Sequence, residues 1–494
     1  MKHSRLDAKV HESQHLLAQV LGQLRIQFEL PRHFPAAVVA EAEKAVSGLV
    51  LPPTDLTGLP FITIDPPGST DLDQAMYLER EGEGYRVWYA IADVPSFVAP
   101  GSVLDAETRR RGQTIYVPDG RIPLHPELIS EDAGSLLPDQ DRSAYVWEFG
   151  LDAQANVQSV GLRRATVRSQ AKLSYAEVQQ DIDSGDAPEY LMLLREIGLK
   201  RIELERSRGG ASLNIPDQEI AHDGRHYFIV SSPPLPVEDW NAQISLMTGM
   251  AAAQLMIEAG VGILRTMPAP DAEAVAHFRR QTCALDHPWP EDMPYGEYLR
   301  GLNASDPRQL ALLHAAASLF RGAGYTPFDG ALPEARLQSA IAAPYAHTTA
   351  PLRRLVDRFV LVICEAQCAG TGIPQWARDA LPELPRLMAA SDQLAARVDR
   401  AAFEAVQAAL LSHRVGEVFD AVVISGSRPG NGHANGNSNG SNGAGPSGMI
   451  QLRSPAVTAR CYGTLETGTT VRARLIEADI AARTIRFELD GAAG

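Results

Sequence analysis

Three aspartates lie close together near the start of the chain and could bind a metal ion: Asp65, Asp71 and Asp73, in FITIDPPGSTDLDQAM, residues 61–76. Asp65 follows the apolar run 61–64, which predicts a buried strand. In an extended segment, residues two positions apart point to the same face. We therefore expect Asp71 and Asp73 to converge while Leu72, between them, turns into the core.

This acidic segment has no positively charged neighbour in the sequence, since no Lys or Arg occurs between Lys44 and Arg80. Crowded carboxylates must either take up protons or share a cation. Magnesium prefers hard oxygen ligands and substrate phosphates, so it is the natural cation for such a group. An isolated Asp-x-Asp is more often a solvated acidic turn, and the metal-site interpretation therefore depends on residues further along the chain.

Composition describes an ordinary globular protein. The 494 residues are 45% hydrophobic and 21% charged, which allows about three domains or one large domain with a smaller appendage. Four cysteines are too few for a disulfide framework, and Cys364 and Cys368, one helical turn apart, are predicted to be buried. With no apolar segment long enough to span a bilayer, we expect a cytoplasmic protein with no membrane partner.

The net charge of −15 argues against a protein that coats itself in nucleic acid. It leaves open an enzyme that guides one strand through a local basic channel.

The order of patterns along the chain predicts an α+β fold, with strands early and helices late. Residues 1–50 form a short helical segment with an apolar stripe at Leu16, Leu17, Val20, Leu21 and Leu24. Strands dominate 51–165, including the core strand YRVWYAIADV, and helical periodicity dominates from about 170 to 415. Residues 416–490 predict a small antiparallel, all-β barrel of OB type. A Gly/Asn-rich loop at 426–448 interrupts this barrel and is predicted to be disordered.

Four separated segments, in this order, resemble the catalytic RNB domain of the ribonuclease II and ribonuclease R exoribonucleases. They are TIDPPGSTDLDQAM, the stretch from YAIADVPSF to LISEDAGSL, SQAKLSYAEV and YAHTTAPLRRLVDRFV. The resemblance covers an RNB domain at 51–415, and residues 416–490 resemble the OB-fold RNA-binding domain that follows it. Relatives usually carry two N-terminal cold-shock domains, for which the residues before the catalytic segment are too few.

The resemblance implies a magnesium-dependent, processive 3′→5′ exoribonuclease that hydrolyses single-stranded RNA with a free 3′ end to nucleoside 5′-monophosphates. It implies one or two Mg²⁺ ions, for which Mn²⁺ can substitute, in a two-metal mechanism on a monomeric protein. Asp65, Asp71 and Asp73 then bind metal and take part in catalysis. Gln74 stands where the family usually has a fourth aspartate, so a second ion is expected to bind more weakly.

The resemblance also assigns residues to RNA binding and phosphate contact. Arg353, in TAPLRRL, matches the arginine that contacts the scissile phosphate. Its neighbour Arg354 is a candidate RNA contact, but its spacing from Asp357 and Arg358 on the predicted helix favours a structural role.

Aromatic residues are expected to stack on bases. Tyr116 matches a tyrosine near the terminal nucleotides, and Tyr175 one that lines the channel. Phe228 is the expected opposite side of the stack, with Tyr227 as the alternative under a one-residue shift. Asp399 stands where relatives generally have a glutamate near the RNA path.

Two alternatives remain open from the sequence. Gln74, and the lack of an acidic residue near Ser245, favour a catalytically silent RNB protein that binds and regulates RNA. A different Asp-x-Asp metalloenzyme, such as a nucleotide-sugar transferase, would need a nucleotide-binding βαβ region before the motif. No glycine-rich turn precedes it.

Overall fold

The computed structural model describes residues 2–211, 217–222, 227–232, 234–428, 446–453, 455 and 457–491. The helices are α1 (Lys2–Gln27), α2 (Ala36–Ser47), α3 (Val103–Arg111), α4 (Tyr175–Ser184), α5 (Glu189–Ser207), α6 (Pro236–Ala259), α7 (Ala272–Ala284), α8 (Tyr295–Arg300), α9 (Pro307–Ala316), α10 (Leu355–Cys368), α11 (Gln375–Ala380) and α12 (Leu384–Leu411). The strands of the first half are β1 (Phe61–Ile64), β2 (Gln74–Glu81), β3 (Gly84–Ala92), β4 (Ile115–Val117), β5 (Gly120–Ile122), β6 (Asp141–Leu151) and β7 (Val157–Leu173). The remaining strands are β8 (Asp217–His222), β9 (Tyr227–Ser232), β10 (Val261–Thr266), β11 (Gly324–Asp329), β12 (Leu337–Gln338), β13 (Ala343–Pro344), β14 (Val418–Arg428), β15 (Ser447–Leu452), β16 (Thr458–Tyr462), β17 (Thr470–Asp479) and β18 (Thr484–Leu489).

The first barrel positions the acidic segment. Strands β1, β2, β3, β6 and β7 close in that order, with β1 parallel to β7 and antiparallel to β2. The predicted core strand is β3, whose residues are buried except for Arg86. Strand β1 ends just before Asp65, and β2 begins just after Asp73. Closure of the barrel therefore fixes both ends of the acidic segment.

Helices form the middle of the chain, as predicted, and pack against the first barrel. Helices α5, α6 and α10 contribute to one hydrophobic core with β3 and β6. The boundary of α10 differs from the expectation, because the helix begins at Leu355 and Arg353 lies in the turn before it. The N–H of Ala350 donates to Asp357 Oδ1 at 2.7 Å, and this bond ties the turn to the first turn of α10.

The second barrel confirms the OB-type prediction. It closes as β14-β15-β16-β18-β17, and the predicted fully antiparallel arrangement is wrong for one pair, since β16 and β18 are parallel. Residues 429–445 of the predicted disordered loop lie outside the described residues. The ends of the predicted tract are ordered, because Gly426–Arg428 belong to β14 and β15 begins at Ser447.

The cysteines and the predicted absence of a membrane span can also be compared with the structure. All four cysteines are free; Cys364 is buried, but Cys368, at the end of α10, is exposed, so its predicted burial is wrong. Within the described ranges, no helix combines the length and the apolar character needed to cross a bilayer.

Candidate active site

Asp65 sits where β1 leaves the first barrel. Its backbone N–H donates to the Leu173 carbonyl at 3.0 Å, which continues the pairing with β7. Its Oδ2 is buried and accepts no hydrogen bond from the part of the chain that the structure describes. Burial raises the pKa of Asp65 to about 7; Asp71 adds to the rise, while Arg353 and Lys172 oppose it. This carboxylate oxygen is therefore available to a ligand.

Asp73 lies at the other end of the acidic segment, just before β2, and is buried. As predicted, the intervening Leu72 is fully buried in the core. Asp73 Oδ1 accepts the Leu352 N–H at 2.8 Å, and Oδ2 lies 3.4 Å from Arg353 Nε. Burial raises the pKa of Asp73 to about 8 against the opposing effect of Arg353. Desolvation is thus a larger cause than the crowding of carboxylates on which the sequence interpretation relied.

Asp71 forms an ion pair that the sequence interpretation missed. Arg121 Nη1 lies 2.5 Å from Asp71 Oδ1, and Arg121 Nη2 lies 2.6 Å from Glu131 Oε2. Lys172 also donates to the backbone carbonyl of Ser69. The lack of a positive neighbour in the sequence therefore does not hold in space. Strands β5 and β7 bring Arg121 and Lys172 to the acidic segment, and the turn before α10 brings Arg353.

Gln74 begins β2 and faces the turn that carries Arg353. Its Nε2 donates to the Thr349 carbonyl, and the Thr349 hydroxyl lies 2.8 Å from the Ser245 hydroxyl. The donor end of the Gln74 amide is therefore committed to the protein, and its Oε1 is the end that could ligate a metal.

The predicted three-aspartate metal cluster is not assembled in advance. Within the described ranges, no group of three or more His, Cys, Asp or Glu side chains is arranged to hold a metal ion. Asp71 instead pairs with Arg121, and Asp73 contacts Leu352 and Arg353. One observation still fits a divalent cation: Asp65 offers a buried, unsatisfied carboxylate oxygen on the same segment.

Arg353 presents its side chain to a cavity, and its phosphate contact stays a prediction. Its carbonyl accepts the Thr114 N–H at 3.0 Å, whereas its side chain is 46% exposed and lines a cavity of about 470 Å³. Arg354 lines the same cavity but pairs with Asp357 through two hydrogen bonds of 3.0 Å. That pairing agrees with the structural role favoured by the spacing, and its RNA contact remains a prediction.

Tyr116 and Asp399 are brought together beside this cavity. Tyr116 stands on β4 and is 54% exposed, and its stacking on bases stays a prediction. Asp399, on α12, lines the same cavity and a neighbouring one of about 370 Å³ that also includes Tyr116. The larger cavity contains Arg265, Tyr325 and Asp392, three residues that the sequence interpretation did not identify.

The other two predicted aromatic contacts differ in their positions. Tyr175 begins α4, and its hydroxyl accepts a hydrogen bond from Asn241 at 3.1 Å. Burial and then Asp65 raise the pKa of Tyr175 to about 12. Phe228 is on β9 and partly exposed, while Tyr227 packs with α1 and α12. The structure therefore favours Phe228 over Tyr227 as the free ring, and its stacking role stays a prediction.

His125 supports the turn that holds Asp73, and the sequence interpretation missed it. The ring is buried, and its Nδ1 lies 3.1 Å from the carbonyl oxygen of Leu352. Because a carbonyl only accepts, Nδ1 carries the proton. Leu352 thus accepts a hydrogen bond from His125 at its carbonyl and donates one to Asp73 from its N–H. No motif marked this residue, since it is a lone histidine in RIPLHPEL.

Comparisons with known proteins show the family and the fold of this chain. A model of the RNB domain matches residues 53–368, and a model of the RNase II-type exonuclease C-terminal S1 domain matches residues 417–490. Ribonuclease R of Escherichia coli K12 is 29% identical over 361 residues, covering 67% of this chain and 42% of the relative. The human exosome complex exonuclease RRP44 is 32% identical over 230 residues, covering 44% of this chain and 24% of the relative. The chain thus spans less than half the length of these relatives.

Solved structures share the fold. RNase R of Mycoplasma genitalium, in complex with ribose-methylated single-stranded RNA, superposes with a TM-score of 0.82 at 18% identity, covering 95% of this chain and 77% of that one. Yeast Ssd1, described as a pseudonuclease, superposes with a TM-score of 0.65 at 16% identity, covering 87% of this chain and 54% of that one. The shared fold therefore includes both a nuclease and a pseudonuclease.

Proposed function

The chain belongs to the RNB family, and from this premise we propose that it is an exoribonuclease that degrades single-stranded RNA from a free 3′ end. The proposed reaction is processive, requires a divalent cation, with Mg²⁺ as the natural ion and Mn²⁺ as a substitute, and releases nucleoside 5′-monophosphates. The protein is proposed to act as a monomer in the cytoplasm. Its proposed parts are residues 1–50, an RNB domain at 51–415 and an RNA-binding barrel at 416–490.

One observation carries the proposal: Asp65, with its unsatisfied Oδ2, and Asp73 lie on one acidic segment, and Arg353, which contacts Asp73, lines the cavity that contains Tyr116. Asp65 and Asp73 would hold the cation, with Gln74 Oε1 as a further oxygen donor. The bound cation supplies Lewis-acid stabilisation and lowers the pKa of water. Arg353 would neutralise charge that develops on the scissile phosphate. Tyr116, with Tyr175 and Phe228 as further candidates, would stack on bases without sequence preference.

The deciding experiment uses 5′-labelled single-stranded RNA, incubated with the protein and Mg²⁺ or with EDTA. A processive 3′→5′ enzyme converts full-length RNA directly to a short labelled product, with few intermediates, and only in the presence of the cation. A circular RNA of the same sequence is the control and should persist, because it has no 3′ end. Cleavage of the circle, or a label that stays full length, would refute the proposal.

The second candidate is a silent RNB protein that binds RNA without cleaving it. Gln74, the Asp71–Arg121 pair and the lack of a preassembled metal group among the described residues favour it. The presence of Asp65 and Asp73 on one segment, with Arg353 in contact with Asp73, opposes it. RNA binding with a Kd unaffected by EDTA, together with an uncut label, would support this candidate.

A further inference from the structure

We propose that Arg121 is a built-in cation that replaces one divalent ion, so that this site takes a single divalent ion rather than two. The inference rests on the proposed function for the role of the metal. It concerns how positive charge is divided between the protein and the ion, which the resemblance does not supply.

The first support is the geometry of Arg121. Its Nη1 lies 2.5 Å from Asp71 Oδ1, its Nε donates to Glu131 at 3.1 Å, and its Nη2 contacts both Glu131 and Thr70. Charged hydrogen bonds of this kind are short and strong. The side chains of Arg121 and Asp71 are only 23% and 13% exposed, so solvent screens the pair weakly. Arg121 is thus fixed on the oxygen that a second metal would need.

The β4–β5 hairpin explains how the arginine arrives there. Tyr116 and Arg121 are directly paired across this hairpin, and the tyrosine is the proposed stacking residue. The same two strands therefore carry a base contact and a counter-ion to the acidic segment. A hairpin is a rigid support for a charge that must stay in place while RNA moves past.

Charge balance favours a single ion. In the ionised form that metal binding requires of its carboxylate ligands, Asp65, Asp71, Asp73 and Glu131 face Arg121, Arg353 and Lys172, which leaves one formal negative charge. One divalent ion reverses that charge to a single positive one, which a phosphate can neutralise. Two ions would leave three positive charges in a partly buried site, and such an excess is costly.

The available ligands lead to the same count. Asp65 Oδ2 is the aspartate oxygen in this segment that is buried without a hydrogen-bond partner among the described residues. Gln74 is neutral, and its amide donor is bound to Thr349. One free carboxylate oxygen on Asp65, with Asp73 as the second carboxylate of the segment, suits one ion.

The test counts bound Mn²⁺ by electron paramagnetic resonance on the full chain without RNA, so that it does not depend on activity. We expect one tightly bound Mn²⁺ in the unsubstituted protein. In Arg121→Gln, Asp71 is released, and that ion should bind about tenfold more tightly. Arg121→Gln combined with Gln74→Asp should bind two ions.

Two variants serve as controls. Arg121→Lys keeps the charge and should keep one ion, and it covers the case in which Arg121→Gln fails to fold. Arg163→Gln removes an exposed arginine that pairs with Glu148 on the first barrel, and it should leave binding unchanged. Two tightly bound ions in the unsubstituted protein, or no change on losing Arg121, would overturn the inference. One bound ion without RNA cleavage would refute the proposed function alone, and cleavage with two ions would refute only the inference.

Discussion

At the scale of single residues, Asp73 is held by a backbone N–H on one oxygen and by a guanidinium on the other. Asp73→Asn preserves size and can still accept the Leu352 N–H, but it removes the charge that would bind a cation. We expect single-turnover cleavage to fall roughly 10²–10³-fold, while the Kd for RNA, measured by filter binding, changes less than about threefold.

Asp141→Asn is the matched control for this prediction, because Asp141 is an exposed aspartate that pairs with Arg168. It should cleave at the unsubstituted rate. A large loss of RNA binding in Asp73→Asn would instead assign Asp73 a structural role.

His125 gives the site a pH-dependent stability. Burial lowers the pKa of His125 to about 3 from its ordinary 6.5. Between those values the unfolded chain binds a proton that the folded chain does not, so stability is lost as the pH falls below 6.5. His125 should therefore lower the free energy of unfolding by up to about 1.4 kcal/mol for each pH unit of acidification between roughly pH 6 and 4.

The measurement is urea unfolding at several pH values between 4.5 and 7.5, in EDTA, for the unsubstituted protein and His125→Gln. Glutamine can still donate to the Leu352 carbonyl but does not titrate, so its stability should depend less on pH. An identical pH dependence in both proteins would contradict the assigned pKa. His277→Gln, which removes an exposed histidine, should behave like the unsubstituted chain.

At the scale of elements, long apolar patterns were predictable because their periodicity depends on burial alone. The core strand β3 and the helical character of 170–415, which includes α5 and α6, were predicted in this way. The start of α10 was not, because a contact between Ala350 and Asp357 keeps Arg353 in a turn.

The candidate site was predictable in its residue types but not in its partners. Arg121 lies 50 positions after Asp71, and only the folded hairpin brings them together.

Helix α1 allows a test at this scale. Leu17 is fully buried against α12, whereas Leu16, which the predicted stripe also included, is 39% exposed. Leu17→Ala should lower the free energy of unfolding by about 2–5 kcal/mol, and Leu16→Ala by less than about 0.5 kcal/mol. Urea unfolding measures both. Equal effects would mean that α1 does not pack on α12 in solution.

At the scale of the whole molecule, the net charge of −15 says little about where RNA would bind. Three arginines, Arg265, Arg353 and Arg354, line one cavity with Tyr116 and outnumber its two aspartates, Asp392 and Asp399. A local concentration of cations can attract a phosphate backbone although the rest of the surface repels it. Only a few phosphate contacts should therefore form. We expect RNA binding to weaken with added salt along a shallow slope of log Kd against log salt concentration.

The loop at 429–445 gives the last test of this organisation. Its flanking residues Arg428 and Ser447 are paired across β14 and β15, and Pro446 accepts a hydrogen bond from Gly463. Replacing 429–445 with Asn-Gly therefore joins two strands that are already in register, through a short loop that retains Pro446. We expect cleavage within about twofold of the unsubstituted rate and an unchanged midpoint of urea unfolding, because loop length has a small entropic effect. Loss of cleavage with unchanged stability would mean that this Gly/Asn-rich tract contacts the RNA. Loss of stability would mean that it packs on the second barrel.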